Sequence, residues 1–172
     1  MDKKYLWIWT AWIGLASGLF AYFYSLLPVS QLNIMFMAFI ALPIFFGVGA
    51  PVKLFPNFFF SALSGVLWGL FYLFLIGKMV AAGVSPPVAL LIIVAICTFL
   101  CVGLHMIVLG HTWFGTVPMI FGGLASTFAS GGQNPVAVFG TLVGGMILGM
   151  AISEGGKVIQ KALSSGQRGV QS

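Results

Sequence analysis

Carboxylates are nearly missing from this chain: Asp2 and Glu154 are the two acidic residues among 172, and all charged residues together make up 5%. A soluble domain of this size needs far more charge to present a wettable surface, so a water-soluble fold is excluded. The same shortage argues against an enzyme, because acid–base chemistry needs titratable groups and no nucleophile stands beside a base. It also argues against a driven pump or an ion channel, since no charged residue lies deep in an apolar run. Cysteine is limited to Cys97 and Cys101. One helical turn apart inside an apolar run, they suit small apolar filler rather than a redox pair. Histidine is limited to His105 and His111. With no carboxylate near either, the expectation is no metal site and no cofactor.

What is present is hydrocarbon. Apolar residues make up 60% of the chain, gathered in runs of the length that crosses ~30 Å of bilayer as a helix of ~20 residues. The runs are continuous rather than alternating, which selects helices over barrel strands. Six spans are expected: Tyr5–Leu27, Ile34–Ala50, Phe55–Gly77, Pro87–Gly110, Trp113–Ser130 and Pro135–Ser153. The chain therefore reads as an all-α polytopic membrane protein. Residues 1–154 form a single domain of six transmembrane helices, and residues 155–172 a polar cytoplasmic tail that ends in the Gly/Ser-rich "SSGQRGVQS". The first run is longer than a signal-peptide core and is read as a retained helix.

The net charge of +5 reports topology rather than nucleic-acid binding. Lys3, Lys4, Lys53, Lys157, Lys161 and Arg168 fall on one side if both termini are cytoplasmic, and Lys78 alone falls on the other. Tyr5, Trp7, Trp9 and Trp113 then mark the inner interface, and Tyr22 and Tyr24 the outer one.

The halves of the chain match weakly. "FIALPIFFGVGA" (Phe39–Ala50) lies beside "FGGLASTFASGG" (Phe121–Gly132), each leading through a short linker into an Asn-headed helix. "SALSGVLWG" and "GTLVGGMILG" follow, with Gly65 falling on Gly144. Three helices per copy make the repeat inverted, with repeat 1 at residues 5–77 and repeat 2 at 87–153. The shortest runs, second and fifth, carry Pro43 and Pro118 with Gly47, Gly49, Gly122 and Gly123. Interrupted segments at matched positions point to a permeation or binding site, so both kinks are expected to face inward.

Asn57 and Asn134 each suit either a helix cap or the vestibule of a polar solute. Gln133 beside Asn134, after "ASGG", favours a lining. Trp68 and Tyr72 share a helix face, and with Phe71 and Phe74 they suit an aromatic pore wall, the alternative being Trp68 in lipid or packed between subunits. His105 suits a gate, a proton relay or a histidine bonded to a carbonyl. Stripes of small residues, Gly14 and Gly18, then Ser61, Gly65 and Gly69, then Gly140, Gly144, Gly145 and Gly149, suit close helix packing. The predicted lining set is thus Pro43, Asn57, Trp68, Tyr72, His105, Pro118, Gly122, Gln133 and Asn134. Glu154 and Lys157 are spaced to pair at i,i+3.

The segments Phe55–Tyr72 and Pro118–Glu154, with "PMIFGGLASTFA" and "GGMILGMAISE", resemble the DUF1097 family of small bacterial inner-membrane proteins. The resemblance implies an inner-membrane location and names no substrate. In outline the plan is also similar to the urea and amide channels, a likeness of fold alone. The polar and charged features of that family's acid-gated members are missing here. The expected function is a homo-oligomeric membrane channel or facilitator for a small uncharged polar solute. A proton-coupled transporter using His105 and a nonconducting scaffold subunit are the alternatives.

Overall fold

The computed structural model describes residues 3–168. Among them are six α-helices: α1 (Lys3–Ser25), α2 (Phe36–Phe46), α3 (Phe55–Ala81), α4 (Pro86–Gly103), α5 (Val117–Ala129) and α6 (Pro135–Arg168). Short 3₁₀ turns at Pro28–Leu32 and Val52–Leu54 precede α2 and α3, and α4 ends in a π-helical turn, Leu104–Val108. Proline stands in the first turn of α3, α4 and α5, where its missing N–H costs no helix bond. Four helical stretches are long and apolar enough to cross a membrane: Lys3–Ser25, Val52–Ala81, Pro86–Val108 and Pro135–Ser165. The fold is that of an all-helical membrane protein.

α2 and α5 depart from the expected spans. With 11 and 13 residues, they rise about 16 and 20 Å, short of ~30 Å of hydrocarbon. Non-helical turns at their ends carry the remaining chain. α6 departs in the other direction: it runs past Ser153 to Arg168, so residues 155–168 of the expected tail continue the helix. The side chain of Arg168 and residues 169–172 lie outside the described residues.

Close contacts fix the direction of each helix. α2 runs beside α6 in the same sense: a cavity joins Asn33 to Asn134, a Cβ on Gly145 would stand 2.0 Å from the Ala38 carbonyl oxygen, and Ser153 Oγ donates to the Gly49 carbonyl at 2.7 Å. α5 runs beside α3 likewise. Asn57 donates to the Thr112 carbonyl at 3.4 Å, a Cβ on Gly65 would stand 2.1 Å from the Ile120 oxygen, and Gly132 lies against Leu70 and Leu73. Because α2 delivers the chain to α3 at the Ser153 end, and α5 delivers it to α6 at the Leu73 end, α3 and α6 are antiparallel. α1 is antiparallel to α6, with Trp12 Nε1 bonded to the Ala151 carbonyl at 3.3 Å and Tyr24 to Thr141 at 2.9 Å. α4 is antiparallel to α3, with Thr98 at Tyr72 and His105 at Ser64.

The core sits where α2, α3, α5 and α6 meet, filled by Met37, Phe45, Phe58, Met119, Leu142 and Met146. Two side clusters flank it. Ala16 packs with Leu148 and Ile152, joined by Trp12, Leu42 and Phe46. Cys97 and Ile93 pack with Tyr72, joined by Trp68, Leu124 and Phe128. Both cysteines are buried and unlinked, as apolar filler.

These directions gather Lys3, Lys4, Lys53, Lys157 and Lys161 at one end of the bundle and leave Lys78 at the other. Lys157 pairs with Glu154. Of the small-residue stripes, Gly65 and Gly69 on α3 and Gly144, Gly145 and Gly149 on α6 lie against neighbouring helices, while a Cβ on Gly14, Gly18 or Gly140 meets nothing within 4 Å. The α1 stripe is thus free of the helix packing expected for it within this chain.

Candidate functional site

The end of the bundle away from the lysine cluster carries two adjoining cavities. The smaller, about 270 Å³, opens where the start of α2, the end of α5 and the start of α6 converge. Asn33, Ser130, Gln133 and Asn134 give it polar walls, and fully buried Met37 closes its floor. The backbone is unusual here: φ is +55° at Asn33, +49° at Asn134, +61° at Gly131 and +77° at Gly132. Asparagine and glycine are the residues that tolerate this left-handed region. The turns that present the amide groups therefore depend on those residue types.

The larger cavity, about 790 Å³, is a groove between the end of α1 and the start of α6. Its walls are apolar, with Phe20, Leu27 and Ala137 beside the bare backbone of Gly140. Tyr24 and Thr141 supply hydroxyls that bond each other. Asn134 belongs to both cavities. No charged residue lines either.

A third polar group lies buried near the lysine-rich end. His105, in the π-helical turn, meets Ser64 Oγ at 3.0 Å and accepts the Trp68 indole N–H at 3.1 Å through Nε2. An indole nitrogen only donates, so Nε2 carries the lone pair and the proton sits on Nδ1. Nδ1–H donates to the Phe114 carbonyl at 2.7 Å. Ser61 holds the same loop, donating to the Trp113 carbonyl at 3.4 Å and accepting from the Thr116 N–H at 3.1 Å. Of the readings open for His105, the carbonyl-bonded one matches these contacts.

The predicted lining residues divide accordingly. Gln133 and Asn134 line the small cavity. Asn57 does not cap α3; its amide reaches across to the loop before α5. Trp68 is half-buried against His105, and Tyr72 is buried with its hydroxyl on Thr98 at 3.2 Å. They pack α3 on α4, and Phe71 and Phe74 are exposed on the outer surface. Pro43 and Pro118 are exposed rather than turned inward. Pro118 is also no kink, since it stands in the first turn of α5. Gly122 is buried, with Ile40 and Ile44 of α2 against it. Tyr24, expected at the outer interface, is buried on α6.

Asn33, Met37, Ser130 and the Tyr24–Thr141 pair went unforeseen. The sequence signal for Asn33 is its place in "SQLN", an uncharged polar stretch of the α1–α2 loop. Ser130 belongs to the "ASGG" stretch that precedes Gln133, and Thr141 carries no signal beyond being polar among apolar neighbours.

Taken together, these helices define an all-helical polytopic membrane protein with an uncharged, polar-walled cavity at the junction of α2, α5 and α6. The family model described as "Protein of unknown function (DUF1097)" matches residues 11–157, and the chain belongs to that family. No curated protein matches it. No solved structure matches it.

Proposed function

We propose that the protein is a channel or facilitator for a small uncharged polar solute, of the urea or amide kind, in a bacterial inner membrane. The chain then crosses six times with both termini cytoplasmic, and the lysine-rich end faces the cytoplasm. The observation that carries this reading is the small mouth lined by Asn33, Ser130, Gln133 and Asn134. Its amides and hydroxyl offer donors and acceptors without charge, which selects neutral solutes in a low-dielectric setting. Solute would pass along the seam of α2 and α5, where buried Met37, Ile40 beside Gly122, and buried Met119 hold the path shut. Methionine is flexible enough to yield to a passing solute.

The halves are further read as inverted repeats of three helices. Exchanging α1, α2 and α3 with α4, α5 and α6 turns the Gly145–Ala38 contact into Gly65–Ile120, and Gly149–Phe45 into Gly69–Thr127. It turns the cluster of Leu148, Ile152, Leu42 and Phe46 into that of Trp68, Tyr72, Leu124 and Phe128. In this register Gly65 answers to Gly145, one residue beyond the match by sequence alone. Ile40 and Gly122 answer to each other and lie in contact, so a pseudo-twofold axis of such a repeat would pass between them. Inverted repeats with a binding site at their interface are a common plan of membrane transport.

Light-scattering relaxation of sealed proteoliposomes, challenged with urea, short amides, glycerol and water, tests the function. Faster relaxation than empty vesicles for one neutral solute, slowed by Gln133→Ala, is expected. No acceleration for any of them removes the proposal.

A further inference from the structure

The groove beside α1 has a filled counterpart, and the comparison, which rests on the repeat reading above, names its ligand. Exchange of the halves carries Gly140 onto Phe60, Thr141 onto Ser61 and Tyr24 onto His105. On the filled side the Phe60 ring stacks on Trp113, with centroids 5.3 Å apart and planes at 13°, and it packs against Phe114 at 5.5 Å. The carbonyls of these two loop residues are held by Ser61 and His105. An apolar body with carbonyl groups therefore occupies that place, supplied by the chain itself.

On the open side nothing of the kind is supplied. A Cβ at Gly140 would meet nothing within 4 Å, so close helix approach does not require glycine there. Tyr24 and Thr141, 6% and 3% exposed, share one hydrogen bond between two hydroxyls. The second hydroxyl hydrogen is a donor that a carbonyl can accept. The volume of about 790 Å³ falls in the range of small-molecule sites. With no charge in the lining, a charged headgroup would lie uncompensated.

We propose that this groove binds an uncharged amphiphile from the bilayer: an alkyl or aromatic body against Phe20, Leu27 and Gly140, with an amide or ester carbonyl at the Tyr24–Thr141 hydroxyls. Asn134, shared with the polar mouth, meets the headgroup.

The test uses the full chain in nanodiscs of zwitterionic phospholipid with a photoreactive fatty amide. Probes of the same chain length carrying a carboxylate or a trimethylammonium head run in parallel. The amide probe is expected to label the segment 134–144 ahead of the outward face of α4, and the charged probes to label both alike. Gly140→Phe, which supplies the missing counterpart of Phe60, is expected to reduce that labelling to background, with Gly140→Leu as a smaller filler and Thr141→Val removing a hydroxyl. Unchanged melting temperatures separate filling from misfolding. Equal labelling of the wild type and both Gly140 variants, or a preference for a charged probe, overturns the proposal. Flux in the same preparation keeps the two ideas apart: flux without specific labelling leaves the solute path and removes this site, and specific labelling without flux does the opposite.

Discussion

At the scale of single residues, glycine does two different jobs, and substitution tells them apart. Gly145→Ala and Gly65→Ala push a methyl into the backbone of a crossing helix, within 2.0 and 2.1 Å of an oxygen. Neither neighbour is a side chain that can turn away, so each variant should lose about 1–3 kcal/mol or more in reversible detergent unfolding. Gly14→Ala, with open space around it, should hold its stability or gain up to about 1 kcal/mol from helix propensity. His105→Ala leaves the Trp68 N–H and the Phe114 carbonyl without their partner, which should cost about 1–3 kcal/mol in the same assay. Sequence reading recognised these glycines as packing residues, yet it grouped Gly14 and Gly18 with the rest. Spacing along one helix says which residues share a face, not whether another helix lies on it. One imidazole in an apolar run must find partners, which makes His105 conspicuous in the sequence, and only the fold reveals that a loop carbonyl and an indole supply them.

At the scale of helices, hydropathy located all six, because burial in hydrocarbon leaves a direct imprint on composition. It misjudged where they end. The apolar run ends at Ser153, yet α6 continues to Arg168, and its Gly155 and Gly156 lie under the indoles of Trp12 and Trp9. Close aromatic packing needs glycine there as much as a turn would. The two prolines read as a matched pair are also different objects. Pro43 interrupts the middle of α2, and its ring leaves the Phe39 carbonyl without an N–H donor from position 43. Pro118 opens α5. Pro43→Ala should therefore raise the unfolding midpoint, while Pro118→Ala should stay within about 0.5 kcal/mol of the parent.

At the scale of the whole molecule, the lysines were legible from charge counting and the arrangement of helices was not, because no local signal sets which helix lies beside which. The contacts put Lys53 and Lys157 at one end and Lys78 at the other. With cysteine introduced singly at these positions in a background lacking Cys97 and Cys101, an impermeant maleimide should reach positions 53 and 157 from the same side of sealed vesicles and position 78 from the opposite side. The short α2 has a further consequence for the surrounding lipid. Its outward face, with Phe36 and Phe39 exposed, offers a span of about 16 Å of helix beside α6, whose 34 residues make it about three times that length. Lipid against this face should meet a narrower hydrocarbon belt than lipid around α4, so the bilayer should thin on that flank of the protein. Acyl-chain length then becomes a control on the molecule: shorter chains relieve that thinning, and thermal stability measured across a series of bilayer thicknesses should peak below the thickness that suits α1 and α3 alone.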